Sequence, residues 1–533
     1  MRNSSENDLA LQERLVAALL DGRRYPHVAK YVRLIETHIS WVLLAGRYAY
    51  KIKKAVDLGF LDCRALVRRQ FFCNEEIRLN TRLAPHIYLD VVPIGGSVDD
   101  PVFGHRPAIE SAVKMRRFSV AAEMDRLMLR GKVLPSHIDS LANVLAQFHL
   151  SLAPAPQESS FGKVSAVRDL VLQNVEEIPG TMLDTVGTFV ITALQHAMKD
   201  EYAACEMLID ARCRQGFVRE CHGDLHLGNI VIRRGEAVPF DGIEFDPALR
   251  WIDVMSDIAF PFMDMLYFRR PDLAYRFLNE WLEITGDYAG LGLLRFYASY
   301  RAAVRAKVNA IRVTQPGIAG RKLAVAQDAF RTYLALAFKC LERPKPALII
   351  MHGLPGSGKT TFTQAALERF GAIRIRSDVE RKRLFGLAAL ESSSAALGSQ
   401  MYSADATMRT YAVLHDTARG LLEAGYRVIV DAAFLKQSER MLFSQLAADL
   451  SAPFIIASIQ ASDATLQSRV EQRQRRGTDA SEADLAVLKM LQASHQAIGG
   501  HELANTVQFV NEGNEGGFAS DDPAWSELKK RLD

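Results

Sequence analysis

The sequence predicts two domains of different class, an α+β domain followed by an α/β domain with a mainly parallel sheet. Three observations carry this. Pro344 and Pro346 form a short stiff break in the chain. Upstream of it, short strand-like runs give way to long helical periodicity. Downstream, short apolar runs alternate with helical stretches, the pattern of parallel strands joined by helices. The boundaries expected are 1–342 for the first domain, with a small lobe over about 1–118 and a large lobe over about 119–342, then a linker at 343–346 and a second domain at 347–533.

The elements follow in order. Trp41–Leu44, a tight turn at Ala45-Gly46-Arg47 and Tyr48–Lys53 read as two strands of a hairpin, and 112–118 as a further strand. From about Leu134 the period changes. Ser136 can cap a helix whose Ile138, Leu141, Ala142 and Leu145 share one face. Helical pattern then continues to about Ala337, interrupted by a strand-turn-strand segment over 229–245. In the second domain strands are expected at 348–352, 373–376, 427–431, 454–459 and 507–510. The first helix should start at Lys359 and end near Gly371. Leu348-Ile349-Ile350-Met351 is apolar throughout, as suits a central strand covered on both faces.

Composition bounds the function. The chain has 533 residues, with 65 Lys+Arg against 62 Asp+Glu. So even a balance argues against a protein that mainly coats nucleic acid or an anionic membrane. Six cysteines lie scattered without a C-x-x-C pair, the usage of a reducing compartment. The polar, acidic start lacks a signal-peptide pattern, and no run approaches the ~20 apolar residues of a membrane span. A cytoplasmic protein without membrane partners is expected.

Gly353-Leu354-Pro355-Gly356-Ser357-Gly358-Lys359-Thr360 satisfies G-x-x-x-x-G-K-[ST], directly after an apolar strand and at the head of a helix. The glycines let successive backbone N–H groups face a polyphosphate at the helix N-terminus. Lys359 would neutralise the β and γ phosphates, and the Thr360 hydroxyl, followed by Thr361, would ligate Mg²⁺. Asp431 ends a strand, where a carboxylate can hold a metal-bound water or position phosphate. Asp378 follows the second strand and could accept a proton from a hydroxyl, or cap the next helix. Arg469, Arg473 and Arg476 share a helical face and could close over the transferring phosphate, or be a solvated charged face. This region resembles the small P-loop kinases that phosphorylate metabolites or nucleic-acid ends, over roughly 346–510. The resemblance implies Asp378 as base and Arg381, in Ser377-Asp378-x-x-Arg381, as a substrate or phosphate contact.

The first domain carries His222-Gly223-Asp224-Leu225-His226-Leu227-Gly228-Asn229, then Ile230-Val231-Ile232. An Asp and an Asn five apart on a loop before a strand are the parts of a kinase catalytic loop. Zinc between His222 and His226 is disfavoured, since Gly223 and Gly228 make the segment a loop and a third soft ligand is not evident. The run is similar to the aminoglycoside phosphotransferase family, whose fold is protein-kinase-like and bilobal, over about 30–340. The resemblance implies Asp224 as base and Asn229 as a Mg²⁺ ligand, with Asp241 or Glu244 as the second ligand. It implies a nucleotide lysine at Lys51 or Lys53, paired with Glu76 or Glu75, and Asp257 as an anchor of the loop.

Together these readings predict a bifunctional ATP- and Mg²⁺-dependent phosphotransferase acting on hydroxyl groups of small molecules. One rival is a 5′-end kinase in the second domain; it would need a basic groove with aromatic stacking, and near Asp378 only Phe385 is aromatic. The other rival is a nucleotide-binding regulatory or scaffold protein. Neither the acceptor nor the oligomeric state is encoded in these motifs.

Overall fold

The computed structural model describes residues 2–57, 59, 61–178, 188–315, 317–389, 391, 400–401, 403–476, 485–513, 518–519 and 521–532, with the side chains of 2–7, 188 and 473–476 outside the description. The chain forms two compact units, Met1–Asp169 with Ile209–Asp264, and Leu170–Leu208 with Met265–Asp533.

The first unit holds a six-stranded antiparallel sheet of β1 (Val32–Glu36), β2 (Ser40–Ala45), β3 (Tyr48–Lys53), β4 (Tyr88–Gly96), β5 (Pro101–Phe103) and β6 (Glu110–Arg116), in the order β1-β2-β3-β6-β4-β5. The expected hairpin is β2–β3, with Trp41 opposite Ile52. Alternation along β3 sorts its side chains: Tyr50 and Ile52 enter an apolar core with Trp41, Leu43 and Ala45, while Lys51 and Lys53 share the other face. That second face receives the helix Leu66–Asn80 through Glu76.

The helix expected after Leu134 spans Pro135–Ser151, and its Ile138, Leu141, Ala142 and Leu145 are fully buried. Its N-cap is Leu134, with Pro135 in the first turn, so Ser136 lies inside the helix and does not cap it. Proline, with fixed φ and no N–H, suits that first position and starts the helix earlier than the serine suggested. Short pairs complete the unit: β7 (Val218–Glu220) with β10 (Trp251–Asp253), and β8 (Ile230–Arg233) with β9 (Glu236–Pro239).

The second unit contains a parallel sheet of β11 (Ala347–His352), β12 (Ile373–Arg376), β13 (Arg427–Asp431), β14 (Phe454–Gln460) and β15 (Thr506–Val510), in the order β12-β13-β11-β14-β15. β11 is central and buried at every position, which explains its unbroken apolar run. The helices Pro271–Thr285, Leu294–Val313 and Gly320–Leu341 belong to this same unit. One of them covers the β12 edge. Asn279 Nδ2 donates to Ala372 O at 2.9 Å, and its Oδ1 accepts from Arg374 N at 2.6 Å. A side-chain amide thus takes the place of a neighbouring strand for one donor and one acceptor of that edge. No helix among the described residues is long and apolar enough to cross a membrane.

Candidate active sites

In the first unit the charges form a closed network. Lys51 Nζ donates to Glu76 Oε1 at 2.9 Å and to Asp241 Oδ1 at 2.7 Å. Lys53 Nζ donates to Glu76 Oε2 at 2.6 Å and to Glu244. Glu76 therefore bridges both lysines that the sequence left as alternatives. Glu75 faces elsewhere, pairing with Arg78 at 2.8 Å. Burial alone would raise the Glu76 and Asp241 carboxyls, but the two lysines hold both below their ordinary range. The lysines are in turn held above theirs, the acids outweighing burial. Exposure separates the two ligand alternatives: the Glu244 side chain is 5% exposed and closed onto Lys53, whereas that of Asp241 is 43% exposed.

Asp241 sits at φ +62°, a left-handed position that costs a non-glycine residue about 1–3 kcal/mol. Its N–H donates to Tyr88 Oη at 3.1 Å, and the next N–H, of Gly242, donates to Asn80 Oδ1 at 2.8 Å. Sequence reasoning missed Tyr88 and Asn80. Asn80 carried one signal, its i+4 spacing from Glu76 on the same helix.

The loop at Asp224 is pinned from below. Asp257 accepts from His222 N at 3.1 Å and Gly223 N at 2.9 Å, and His149 Nε2 lies 3.1 Å from it. Burial would raise Asp257, but His149 and the loop amides bring it down to about 2. His222 Nε2 is 2.9 Å from Phe240 O and its Nδ1 accepts from Asp224 N at 3.3 Å; burial keeps the ring neutral by lowering its pKa. Asn229 Nδ2 donates to Asp224 O at 2.9 Å and to Asp224 Oδ2 at 3.1 Å, tying the two residues of the motif together. His226 caps the turn Leu227–Asn229 through Gly228 N at 3.1 Å and stands 3.6 Å from Asp224 Oδ2.

In the second unit the loop after β11 leads into the helix Lys359–Phe370. Gly356 has φ +85°, and a Cβ there would lie 2.8 Å from Leu466 O, so the loop needs glycine at that point. Lys359 Nζ donates to Gly353 O at 2.8 Å and Leu354 O at 3.0 Å. Ser357 Oγ is buried with no hydrogen-bond partner among the described residues. A curled loop with an ammonium beside it suits a polyphosphate, and this donor set fits one.

A cavity of about 940 Å³ opens over the loop, lined by Lys359, Thr360, Thr361, Asp378, Arg381 and Asp431 among others. Asp378 lies in the first turn of the helix Ser377–Leu384, whose N-cap position is Arg376, so the capping alternative does not apply. Asp431 Oδ2 accepts from Thr363 Oγ1 at 3.1 Å and stands 3.9 Å from Arg376 Nε. Arg381 reaches Met401 O at 2.7 Å and Thr407 Oγ1 at 3.2 Å. Arg469 donates to Gly356 O at 3.2 Å, bracing the loop from the helix Asp463–Arg476. The Arg473 and Arg476 side chains lie outside the described residues.

Glu283 was invisible to motif reading. From the helix Pro271–Thr285 it binds Arg374 Nη2 at 2.6 Å and Arg376 Nη1 at 3.3 Å, under the β12 end of the cavity. These arginines overcome the effect of burial and lower its carboxyl. Nothing local marks it, since a lone Glu on an amphipathic helix reads as surface.

The family model of an AAA domain matches residues 348–498. The uncharacterized protein Rv2004c of Mycobacterium tuberculosis strain H37Rv is 31% identical over 473 residues, covering 89% of this chain and 92% of that protein. Among solved structures, a choline/ethanolamine kinase family protein from Mesorhizobium loti is 12% identical, covering 62% of this chain and 98% of its own, with a TM-score of 0.35. A gluconokinase from Sinorhizobium meliloti is 20% identical, covering 36% of this chain and 91% of its own, with a TM-score of 0.23. The chain belongs to the family of the mycobacterial protein Rv2004c, and its match to the AAA domain model lies over residues 348–498, the part that carries the glycine loop.

Proposed function

We propose that the chain is a bifunctional ATP-dependent phosphotransferase, with one site in 1–342 and one in 347–533, each moving the γ-phosphate to a hydroxyl of a small molecule. The observation that carries this is the gathering, in each unit, of a phosphate-compatible cation, acidic groups and a further Asp suited to act as base. In the first unit these are Lys51, Glu76, Asp241 and Asp224; in the second, Lys359, Asp431 and Asp378.

In the first unit Glu76 holds Lys51 in place for the phosphates, and Lys51, the more exposed of the two lysines, is the one assigned to them. Lys53 then serves to balance Glu76 and Glu244. Two ammonium groups against three carboxylates leave one surplus negative charge, a setting that suits a dication. Asp241 and Asn229, whose amide nitrogen is committed to Asp224, supply the hard oxygen ligands that Mg²⁺ takes. When bound, Mg²⁺ would neutralise charge developing on the transferring phosphate. Asp224 accepts the proton of the acceptor hydroxyl as that oxygen bonds to the γ-phosphorus and the bond from that phosphorus to the β–γ bridging oxygen breaks, releasing ADP.

In the second unit the loop amides and Lys359 hold the phosphates, with Thr360 and Asp431 on the metal side. Asp378 takes the acceptor proton, and Arg381 and Arg469 fix the phosphate and the loop. Catalysis at both sites is positioning plus charge neutralisation.

The test is transfer of labelled γ-phosphate across sugars, amino sugars, other alcohols, nucleosides and oligonucleotides, with Asp224→Asn and Lys359→Ala run beside the wild type. A product lost in one variant only assigns that acceptor to that unit. Retained nucleotide binding with no transfer to any acceptor would instead favour a nucleotide-reporting scaffold.

A further inference from the structure

We infer that the acceptor at the P-loop site is an amphipathic alcohol, with a hydroxyl head at Asp378 and an apolar, flexible body. This rests on the P-loop reading above and names its substrate class. Three large apolar side chains line the cavity from three separate helices: Met408 from Ala404–Glu423, Leu442 from Gln437–Asp449 and Met490 from Leu485–Ala493. They are 67%, 46% and 56% exposed. A single exposed apolar residue is ordinary, but convergence of three on one concave surface is the composition of a ligand wall.

Two of the three wall residues, Met408 and Leu442, lie on the acceptor flank, while the helix of Met490 follows β14. The helices bearing Met408 and Leu442 precede and follow β13, which ends in Asp431; β13 pairs with β12, which leads into Asp378. Arg469 and Asn511, which brace the phosphate loop, follow β14 and β15, on the opposite flank of β11. The Met408 and Leu442 side of the wall therefore lies towards the hydroxyl that Asp378 would deprotonate.

Its chemistry selects the body of that molecule. A polyol would press hydroxyls against methyl groups that cannot bond them and thioethers that accept only weakly. A nucleobase calls for ring stacking, and Tyr411 is the one aromatic ring among the described lining residues. Two methionines give a polarizable surface that adapts to a flexible chain.

In the transfer step the acceptor oxygen gives its proton to Asp378 and forms a bond to the γ-phosphorus. The bond from that phosphorus to the β–γ bridging oxygen breaks, and ADP leaves with the electron pair. The product is a phosphate monoester of the alcohol, and Asp378 returns its proton to solvent.

The experiment uses the full chain with a non-hydrolysable ATP analogue and two pairs of probes: glycerol against its monohexyl ether, and ethylene glycol against phenylethylene glycol. Binding is measured by calorimetry. The apolar-bodied member of each pair should bind about ten-fold more tightly or better, and Leu442→Gln and Met408→Gln should each remove most of that advantage. Equal binding within each pair overturns the inference. So does loss of affinity for the ATP analogue in those variants without change in probe affinity, which would assign the wall to the adenine. Failure of the underlying reading has a different signature, namely ATP-analogue binding by the second unit that survives Lys359→Ala.

Discussion

The two candidate sites meet the same demand, holding a polyanion, by opposite means. In the first unit, on the reading proposed above, a side chain does it: Lys51 is locked with Lys53, Glu76, Asp241 and Glu244 into a largely buried network. In the second the backbone does it, with a glycine-built loop at a helix N-terminus and an ammonium resting on its own carbonyls. The network is costly to desolvate, so loss of either lysine leaves buried carboxylates without their partner. The loop depends on backbone shape, so it tolerates charge changes nearby but not a Cβ in its tight turn.

The sharpest way to break this comparison is at the two bases. Asp224→Asn and Asp378→Asn should each cut transfer at their own site by about 10²–10⁴-fold while nucleotide still binds. Steady-state rates with each unit's acceptor measure this, and an unchanged rate would remove that Asp from the mechanism.

Next in size is the network itself. Glu76→Gln takes one carboxylate from each of Lys51 and Lys53, which keep Asp241 and Glu244, and should cost about 1–3 kcal/mol of stability. Lys359→Ala in the loop should cost little stability while abolishing nucleotide binding there. Denaturant midpoints of both variants test the contrast, and equal losses would contradict it.

A pH effect on stability should appear in the second unit. His352, beside the phosphate loop, packs against His495 at 3.0 Å and near Arg440. Burial first, then these neighbours, push its pKa from 6.5 down to about 4. The unfolded chain takes this proton near 6.5 and the folded chain only near 4. Stability is thus full above the upper value and falls towards the lower one, by at most about 3 kcal/mol. His352→Asn should flatten that slope in thermal scans. The smallest effect expected is for Arg469→Lys, which loses the fork between Gly356 O and Asn511 and should weaken nucleotide binding about ten-fold or less.

The contrast also explains what the sequence could disclose. A glycine loop is a contiguous motif, so the elements from β11 to the helix Lys359–Phe370 were legible nearly to the residue. Asp224 and Asn229 were legible for the same reason, lying on one short loop. The network was only half legible: β3 alternation puts Lys51 and Lys53 on one face, and spacing cannot say which acid each meets. Asn80, Tyr88 and Glu283 were not legible, because their meaning comes from partners distant in sequence, such as Arg374 for Glu283. Ser136 misled because the cap preference of serine lost to the proline before it.

The central claim is that one chain carries two independent nucleotide sites. The most direct measurement is the stoichiometry of a non-hydrolysable ATP analogue with Mg²⁺, by calorimetry on the wild type, Lys51→Met, Lys359→Ala and the double variant. Two sites in the wild type, one in each single variant and none in the double variant is the predicted result. A single site in the wild type, or two that persist in Lys359→Ala, would contradict it.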